Sequence, residues 1–236
     1  PGYRANTASA LNQFSEKIAS DLNLSLHGFN SKTDALKNIA LDLSQNHVYI
    51  NEDSVSGVSE KDAQNFNQYK SLLKKFAHVL KPFWLKSIPR LKNENIKDLL
   101  TFAEIGLKIR HMGKEDMREF LRIFSLPTRD LMDEFFDSDL LKAALSWDAL
   151  IGSSQAPRSP NNSILTLLYR MSGKHRGHYY IPTGGVDSLI DALVSSAEEA
   201  GVEFMSETIV KEIIIENGQN GLKAIGVKTH NSEEIK

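Results

Sequence analysis

The sequence predicts an α+β protein: a mostly helical body with a small sheet, then a helix–strand–hairpin block. Three observations carry this. From Asn93 to Gly152, apolar residues recur at three- and four-residue steps. "ALKNIALDLSQNHVYIN" reads as two short strands around a polar turn, Gln45-Asn46-His47. Beyond residue 181 a helical run gives way to "IVKEIII" and to Leu222–Thr229, divided by the hairpin signal "NGQNG".

The elements follow in order. Residues 9–24 predict a short helix, with Leu11, Phe14, Ile18 and Leu22 on one face. After the two strands, Ser59 opens the next helix. "SEKD" has capping-box spacing, with Asp62 where Glu or Gln is usual. The stripe Ala63, Phe66, Tyr69/Lys70, Leu73, Ala77, Leu80 carries this helix to about Pro82. Helices follow over 93–111 and 114–125, the second with Met117, Phe120, Leu121 and Phe124 on one face. Pro127 and Thr128 restart the chain, with Thr128 as N-cap, and Ser138 caps a helix carrying Leu141, Ala144, Leu145 and Leu150. "GSSQAPRSPNNS" is a loop, 163–172 an apolar segment, "GKHRGH" a second loop and "YYIP" a strand. A helix over 186–200 then leads to a strand at Val202–Met205 and the hairpin.

Composition narrows the function. At 236 residues the chain makes one large domain or two small ones. A net charge of -2, with basic and acidic residues interleaved, argues against a nucleic-acid partner. The absence of cysteine excludes disulfides, thiolate catalysis and Cys-based zinc sites, so redox chemistry requires a bound cofactor. No run reaches the ~18 apolar residues of a membrane span, and no signal peptide is visible. A cytoplasmic location is expected, with room for peripheral membrane contact. The opening "PGYRANTASAL", without Met, reads as a start within a longer protein.

Candidate chemistry centres on Thr183-Gly184-Gly185, a turn before a helix. Helix N-termini carry unpaired N–H groups and partial positive charge, and glycines let a ligand approach the backbone. The turn is either ligand-facing or purely structural. Asp187 in the first helical turn already satisfies the dipole, so a flat ring suits this place better than a phosphate. His175 and His178 lack a third metal ligand and read as a solvated loop, with no metal expected. Ser153 and Ser154 sit in no GxSxG elbow. Trp147 occupies an apolar helix position that predicts packing, with substrate contact as the alternative. Phe120, Phe124, Phe135 and Phe136 read as core, or as the lining of an apolar substrate pocket.

The stretch "GGVDSLIDALVSSAEEAGVEFMSETIVKEIIIENGQNGLKAIGVKTHNSEEI" resembles the middle flavin-domain segment of phytoene desaturase-like FAD-dependent oxidoreductases. Its pattern there is a paired glycine, a helix, a short strand, V-x-x-I and a hairpin. "ALSWDALIGSSQAPRSPNNSILTLLYRM" is similar to the branch typified by the pyridine nucleotide-disulphide oxidoreductase domain-containing protein 2, with D-A-x-I-G and then S-P-x-x-P. The resemblance covers nearly the whole chain. It implies a substrate-binding domain over 1–181, with residues 1–10 leaving the FAD domain, and a middle piece of a split Rossmann-like FAD-binding domain over 182–236. It places Gly184 and Gly185 near the isoalloxazine, the Val210 backbone at the adenine, Ile213 at a packing position, and Arg4 to Ser9 close to the flavin. Tyr180, Thr183 and Trp147 are the expected substrate contacts. No catalytic residue is nominated.

The sequence departs from the family pattern at Asp187, Asn161-Asn162, Leu168-Tyr169 and Tyr179-Tyr180. The implied activity is hydride transfer from an apolar small-molecule substrate to flavin. The phosphate-binding GxGxxG and the closing flavin segment are expected outside these residues. The chain alone should therefore be inactive and bind FAD weakly, and its uncovered surfaces leave room for a homodimer. Two other readings stand: a helical interaction module without cofactor, and an amine oxidase-like flavoenzyme.

Overall fold

A computed structural model describes residues 10–11, 14–30, 36–83, 86, 96–160, 163–173, 175–218 and 221–235. Eight helices and six strands occur among them: α1 (Glu16–Asp21), β1 (Asn38–Ala40), β2 (Val48–Ile50), β3 (Val55–Ser56), α2 (Glu60–Leu80), α3 (Ile96–His111), α4 (Lys114–Phe124), α5 (Thr128–Phe135), α6 (Asp139–Leu150), α7 (Ser163–Met171), α8 (Asp187–Glu199), β4 (Val210–Gly218), β5 (Gly221–Thr229) and β6 (Glu234–Ile235). The class is α+β, as the sequence predicts. The chain divides into two compact units, residues 1–193 and 194–236.

The first unit is organised on α2. The Ser59 side chain accepts from Asp62 N at 3.1 Å and so starts the helix. One face of α2 then buries Phe66, Tyr69, Leu73, Phe76 and Ala77. Each fully buried Phe or Leu contributes roughly 1.5–3 kcal/mol of transfer free energy. The same core takes Phe120 and Ile123 from α4, Leu131 and Met132 from α5, Leu141 and Ala149 from α6, and Ile164, Leu167 and Leu168 from α7. Strands β1-β2-β3 form an antiparallel sheet, with Ala40 opposite Val48 and Ile50 opposite both Asn38 and Val55. Val48, Ile50 and Val55 face the core. A smaller cluster joins Leu24 and Phe29, after α1, to Leu189 and Ala192 of α8.

Asp62 shows why its Asp is not the usual Glu. Its carboxylate does not reach back to Ser59. It accepts instead from Asp137 N at 2.9 Å and Ser138 N at 3.0 Å, across the α5–α6 corner. Ser138 in turn caps α6 by accepting from Leu141 N.

The second unit is an antiparallel sheet in the order β4-β5-β6. The hairpin closes at Gly218↔Gly221, as "NGQNG" predicts, and the ladder slips between Val210 and Glu212 and again between Ile214 and Ile215.

Several expectations change. Helix 9–24 shrinks to α1. Ser15 caps it by accepting from Ile18 N, and Asn23 ends it at φ +50, with Leu24 N returning to Ala19 O at 2.9 Å. Leu11 is not helical: it forms a lone antiparallel bridge with Tyr180, and this bridge is all that remains of the expected "YYIP" strand. The N-cap of α5 is Pro127, and Thr128 is the first helical residue, fully buried. The orphan N–H of Arg129 is satisfied by Pro157 O at 2.9 Å rather than by a cap side chain. Val202–Met205 is not a strand. No ladder partner lies beside it among the described residues, and an unpaired strand leaves its backbone groups unmet. The expected start of α3 at 93–95 lies outside the described residues.

Asp62→Ala should cost about 1–3 kcal/mol, because two part-buried backbone donors at the α5–α6 corner lose a carboxylate acceptor. Asp137→Ala should cost far less, since among the described residues its carboxylate meets Lys61 in an exposed pair. Urea denaturation of both variants checks the contrast. Gly57, at φ +80, lies where a Cβ would run into the His47 carbonyl oxygen. Gly57→Ala should lower stability by roughly 2 kcal/mol or more, read from the thermal midpoint.

Candidate functional site

Within the first unit, a cavity of about 370 Å³ opens between α2, α6, the first sheet, the end of α7 and the 176–179 segment. Ile39, Ile50, Phe66, Leu145, Leu167 and Met171 make much of its wall apolar. Lys70, Asp148, His178 and Tyr179 supply its polar groups, with Trp147 and Arg176 as exposed members.

Local sequence aims each polar group. Lys70 lies four residues after Phe66 and three before Leu73, on the inward stripe of α2. Asp148 lies three residues after Leu145 and four after Ala144, on the inward face of α6. The turn at 175–177 has Arg176 at φ +51 and Gly177 at φ +84. Gly177 lies against Met171, whose Cγ would sit 3.1 Å from an added Cβ. The turn sends His178 inward, where it is 8% exposed.

The polar groups form two sets. In one, Lys70 Nζ lies 3.2 Å from His178 Nε2. In the other, the Tyr179 hydroxyl donates to Asp148 Oδ1 at 2.8 Å, Arg170 donates to that hydroxyl, and the Arg170 guanidinium lies 3.4 Å from the carboxylate. Burial lowers the Lys70 ammonium to about 8, helped by nearby Lys74. Asp53, Glu52 and Asp148 offset this only partly. Burial, then the Lys70 and Lys74 charges, push His178 down to about 4. Burial raises the Asp148 carboxyl, against the Tyr179 hydrogen bond and the Arg170 and Lys70 charges. Burial and the bond to Asp148 push Tyr179 up to about 12. Near pH 7 Lys70 is therefore an ammonium donating to a neutral imidazole, and His178 carries its proton on Nδ1. Among the described residues, Lys70 has no carboxylate within 4.0 Å.

The residues expected from sequence are placed as follows. Thr183-Gly184-Gly185 forms an exposed turn before α8. Gly184 and Gly185 take φ +87 and +83, with Gly185 N donating to Pro182 O at 2.8 Å. Thr183 is exposed, and its N–H donates to Asn30 O. A Cβ on Gly185 would meet nothing within 4 Å, so Gly185 presents bare backbone to open space, while one on Gly184 would lie 3.4 Å from Ser188 Cβ. That suits the close approach of a flat ring, and Asp187 in the first turn of α8 disfavours a phosphate there. Tyr180 is buried, stacked on His175 at 3.9 Å between ring centroids. Trp147 is 64% exposed, so the packing predicted from its helix position does not occur, and its ring borders the cavity instead. Val210 begins β4 opposite Thr229 and is exposed, as is Ile213. Arg4 to Ser9 and Asn161-Asn162 lie outside the described residues.

Phe120 and Phe136 are core. Phe76 and Phe120 meet edge to face at 5.5 Å, and Tyr69 and Phe136 at 5.3 Å. None of the four phenylalanines singled out in the sequence lines the cavity. The two histidines separate, His175 onto Tyr180 and His178 onto Lys70. The sequence reading sets Lys70 on the α2 stripe but gives it no site role, and its pairing with His178 is absent from that reading. The signal for Lys70 was present, as a lysine on an otherwise apolar stripe; the partner comes from a loop 108 residues later and carried no such signal.

The sequence profile for "Flavin containing amine oxidoreductase" matches residues 36–236. The chain belongs to that family. It is 26% identical, over 260 residues, to the pyridine nucleotide-disulfide oxidoreductase domain-containing protein 2 of Mus musculus and, equally, of Rattus norvegicus. Each alignment covers 100% of this chain and 44% of the relative, so the chain spans less than half the length of these curated relatives. No solved structure matches it. Membership points to a flavin as the cofactor of this family. The glycine turn, with its Cβ-free face, fits such a cofactor.

Lys70→Met should raise stability by about 1–2 kcal/mol, because it removes a charge held away from water. The folded-state value of Lys70 lies below its ordinary 10.5, so the gain is full below pH 8 and shrinks as pH rises toward 10.5. Chemical denaturation at pH 7 and pH 10 reads it. In the same variant, the His178 ring should titrate higher than about 4 yet still below 6.5, since burial outweighs the lost Lys70 charge. NMR titration of the ring protons checks this.

Proposed function

We propose that this chain supplies the substrate-binding domain, over residues 1–181, and a middle segment of the FAD-binding domain, over 182–236, of an FAD-dependent oxidoreductase of the desaturase or dehydrogenase type. The observation that carries the reading is a cavity with an extended apolar wall in the same compact unit as the glycine turn. Gly184 follows the cavity residue Tyr179 by five positions, so the two lie within about 18 Å along the chain. An apolar substrate held in the cavity could extend toward a ring seated on the turn. FAD, when bound, supplies the acceptor for a hydride leaving an apolar C–H bond. The chain's own part is to bind and orient the substrate: Phe66, Leu145 and Trp147 enclose its apolar body, and Gly184 and Gly185 admit the ring.

A second reading, an amine substrate, is favoured by the family description alone. Against it stands the engagement of Asp148, the carboxylate lining the cavity, with Arg170 and Tyr179. The relatives' greater length and the absence of a GxGxxG unit here support a phosphate-binding segment elsewhere in the whole protein.

The whole protein should co-purify with FAD, seen in its visible absorbance, and this 236-residue chain should retain little in equilibrium dialysis. Gly185→Val in the whole protein should weaken FAD at least about tenfold, since a branched side chain would stand where the ring approaches at φ +83. A whole protein free of flavin, or flavin-dependent oxidation by the 236-residue chain alone, would overturn the reading.

A further inference from the structure

We infer that Lys70 and His178 form the seat for a carboxylate at one end of an otherwise apolar substrate. The inference rests on the reading of the cavity as the substrate pocket and adds the chemistry of the substrate's head. Its first support is charge. The cavity wall carries two cations, Lys70 and Arg176, and one carboxylate, Asp148. Asp148 is already bound by Arg170 and Tyr179. Among the described residues, the hydrogen-bond partner of Lys70 is neutral His178, so the ammonium is left without a counter-ion. A largely buried charge without a partner is costly, and burial of an anion beside it repairs the deficit.

The second support is position. Lys74, one turn along α2, pairs with Asp53 at the surface and is not short of a partner. Lys70 is instead held over the Phe66 ring, 6.0 Å from its centroid, with apolar Ile50, Met171 and Leu167 among the lining. A carboxylate accepting from Lys70 Nζ would place an attached alkyl chain along that wall. His178 fixes the direction of the ammonium by accepting a hydrogen bond from one of its three N–H groups at 3.2 Å, and two remain for the ligand.

The third support is selectivity. A substrate ammonium would meet Lys70 and Arg176 as like charges. An uncharged head would leave the Lys70 charge uncompensated. Only an anionic head matches both the apolar wall and the free cation.

The test uses the FAD-loaded whole protein and three ten-carbon probes: decanoate, decanol and decylammonium. Calorimetric titration at pH 7 should show decanoate bound at least about tenfold more tightly than the other two, the scale of a charge-assisted hydrogen bond. Lys70→Met should abolish this preference while decanol binding stays within about twofold, which also reports that the pocket is intact. Lys70→Arg should keep most of the preference. If decanol and decylammonium bind and decanoate binds no better, or if Lys70→Met leaves the preference unchanged, the carboxylate seat is overturned and the substrate pocket stands. If none of the three binds, the pocket reading falls, and the seat with it.

Discussion

The buried carboxylate of Asp62 is the constraint on which the first unit depends. It sits at the start of α2 and holds two backbone donors at the α5–α6 corner. Helices are stiff rods rising about 1.5 Å per residue, so fixing their starts fixes what they carry further along. Lys70 lies eight residues along α2 from Asp62, and Asp148 ten residues beyond Ser138. The two polar walls of the cavity therefore share one anchor at their roots. Apolar packing alone would leave neighbouring helices free to slide by a fraction of a turn. A charged acceptor with two specified donors removes that freedom. The unusual Asp in the capping sequence thus serves tertiary register, while Ser59 alone starts the helix.

The second unit is held differently. Its ladder is local, closed by a tight hairpin, and its side chains stay largely in water. Ile213, Ile215 and Leu222 are more than half exposed. A small antiparallel sheet whose apolar side chains stay this exposed gains little from burial and relies on backbone pairing and β-branched propensity. Its two register slips twist the strands further. Sequence pattern specified this element well because all its determinants are neighbours in the chain.

The same contrast explains what could be read in advance. The helices α2, α4, α6 and α8 were legible because capping serines, apolar steps and prolines act locally. Thr128 was misread because its preference for N-caps lost to burial, while a distant carbonyl from Pro157 met the helix start. The Val202–Met205 stretch has strand composition, but strand formation needs a partner that composition cannot supply. In the cavity, Trp147 looked like a core residue because helical periodicity gives the face and not what lies opposite it. The glycine turn was found because φ > 0 leaves a mark in sequence. The Lys70–His178 pair spans 108 residues and left only half a mark, a lysine where the stripe calls for an apolar side chain.

That half-mark has physical weight. A lysine on an inward stripe loses hydration and side-chain freedom, and packing alone would favour leucine or methionine at the same place. His178 makes the position harder still. As an imidazolium it would repel the ammonium, so burial keeps it neutral and able to accept. The pair is therefore a device that holds one positive charge, pointed, inside an apolar pocket. Asp148 offsets it only partly, because Arg170 and Tyr179 already engage that carboxylate. Two adjacent polar sets, one internally balanced and one not, make an asymmetric site. The balanced set shapes the wall, and the unbalanced one is left to act on whatever enters.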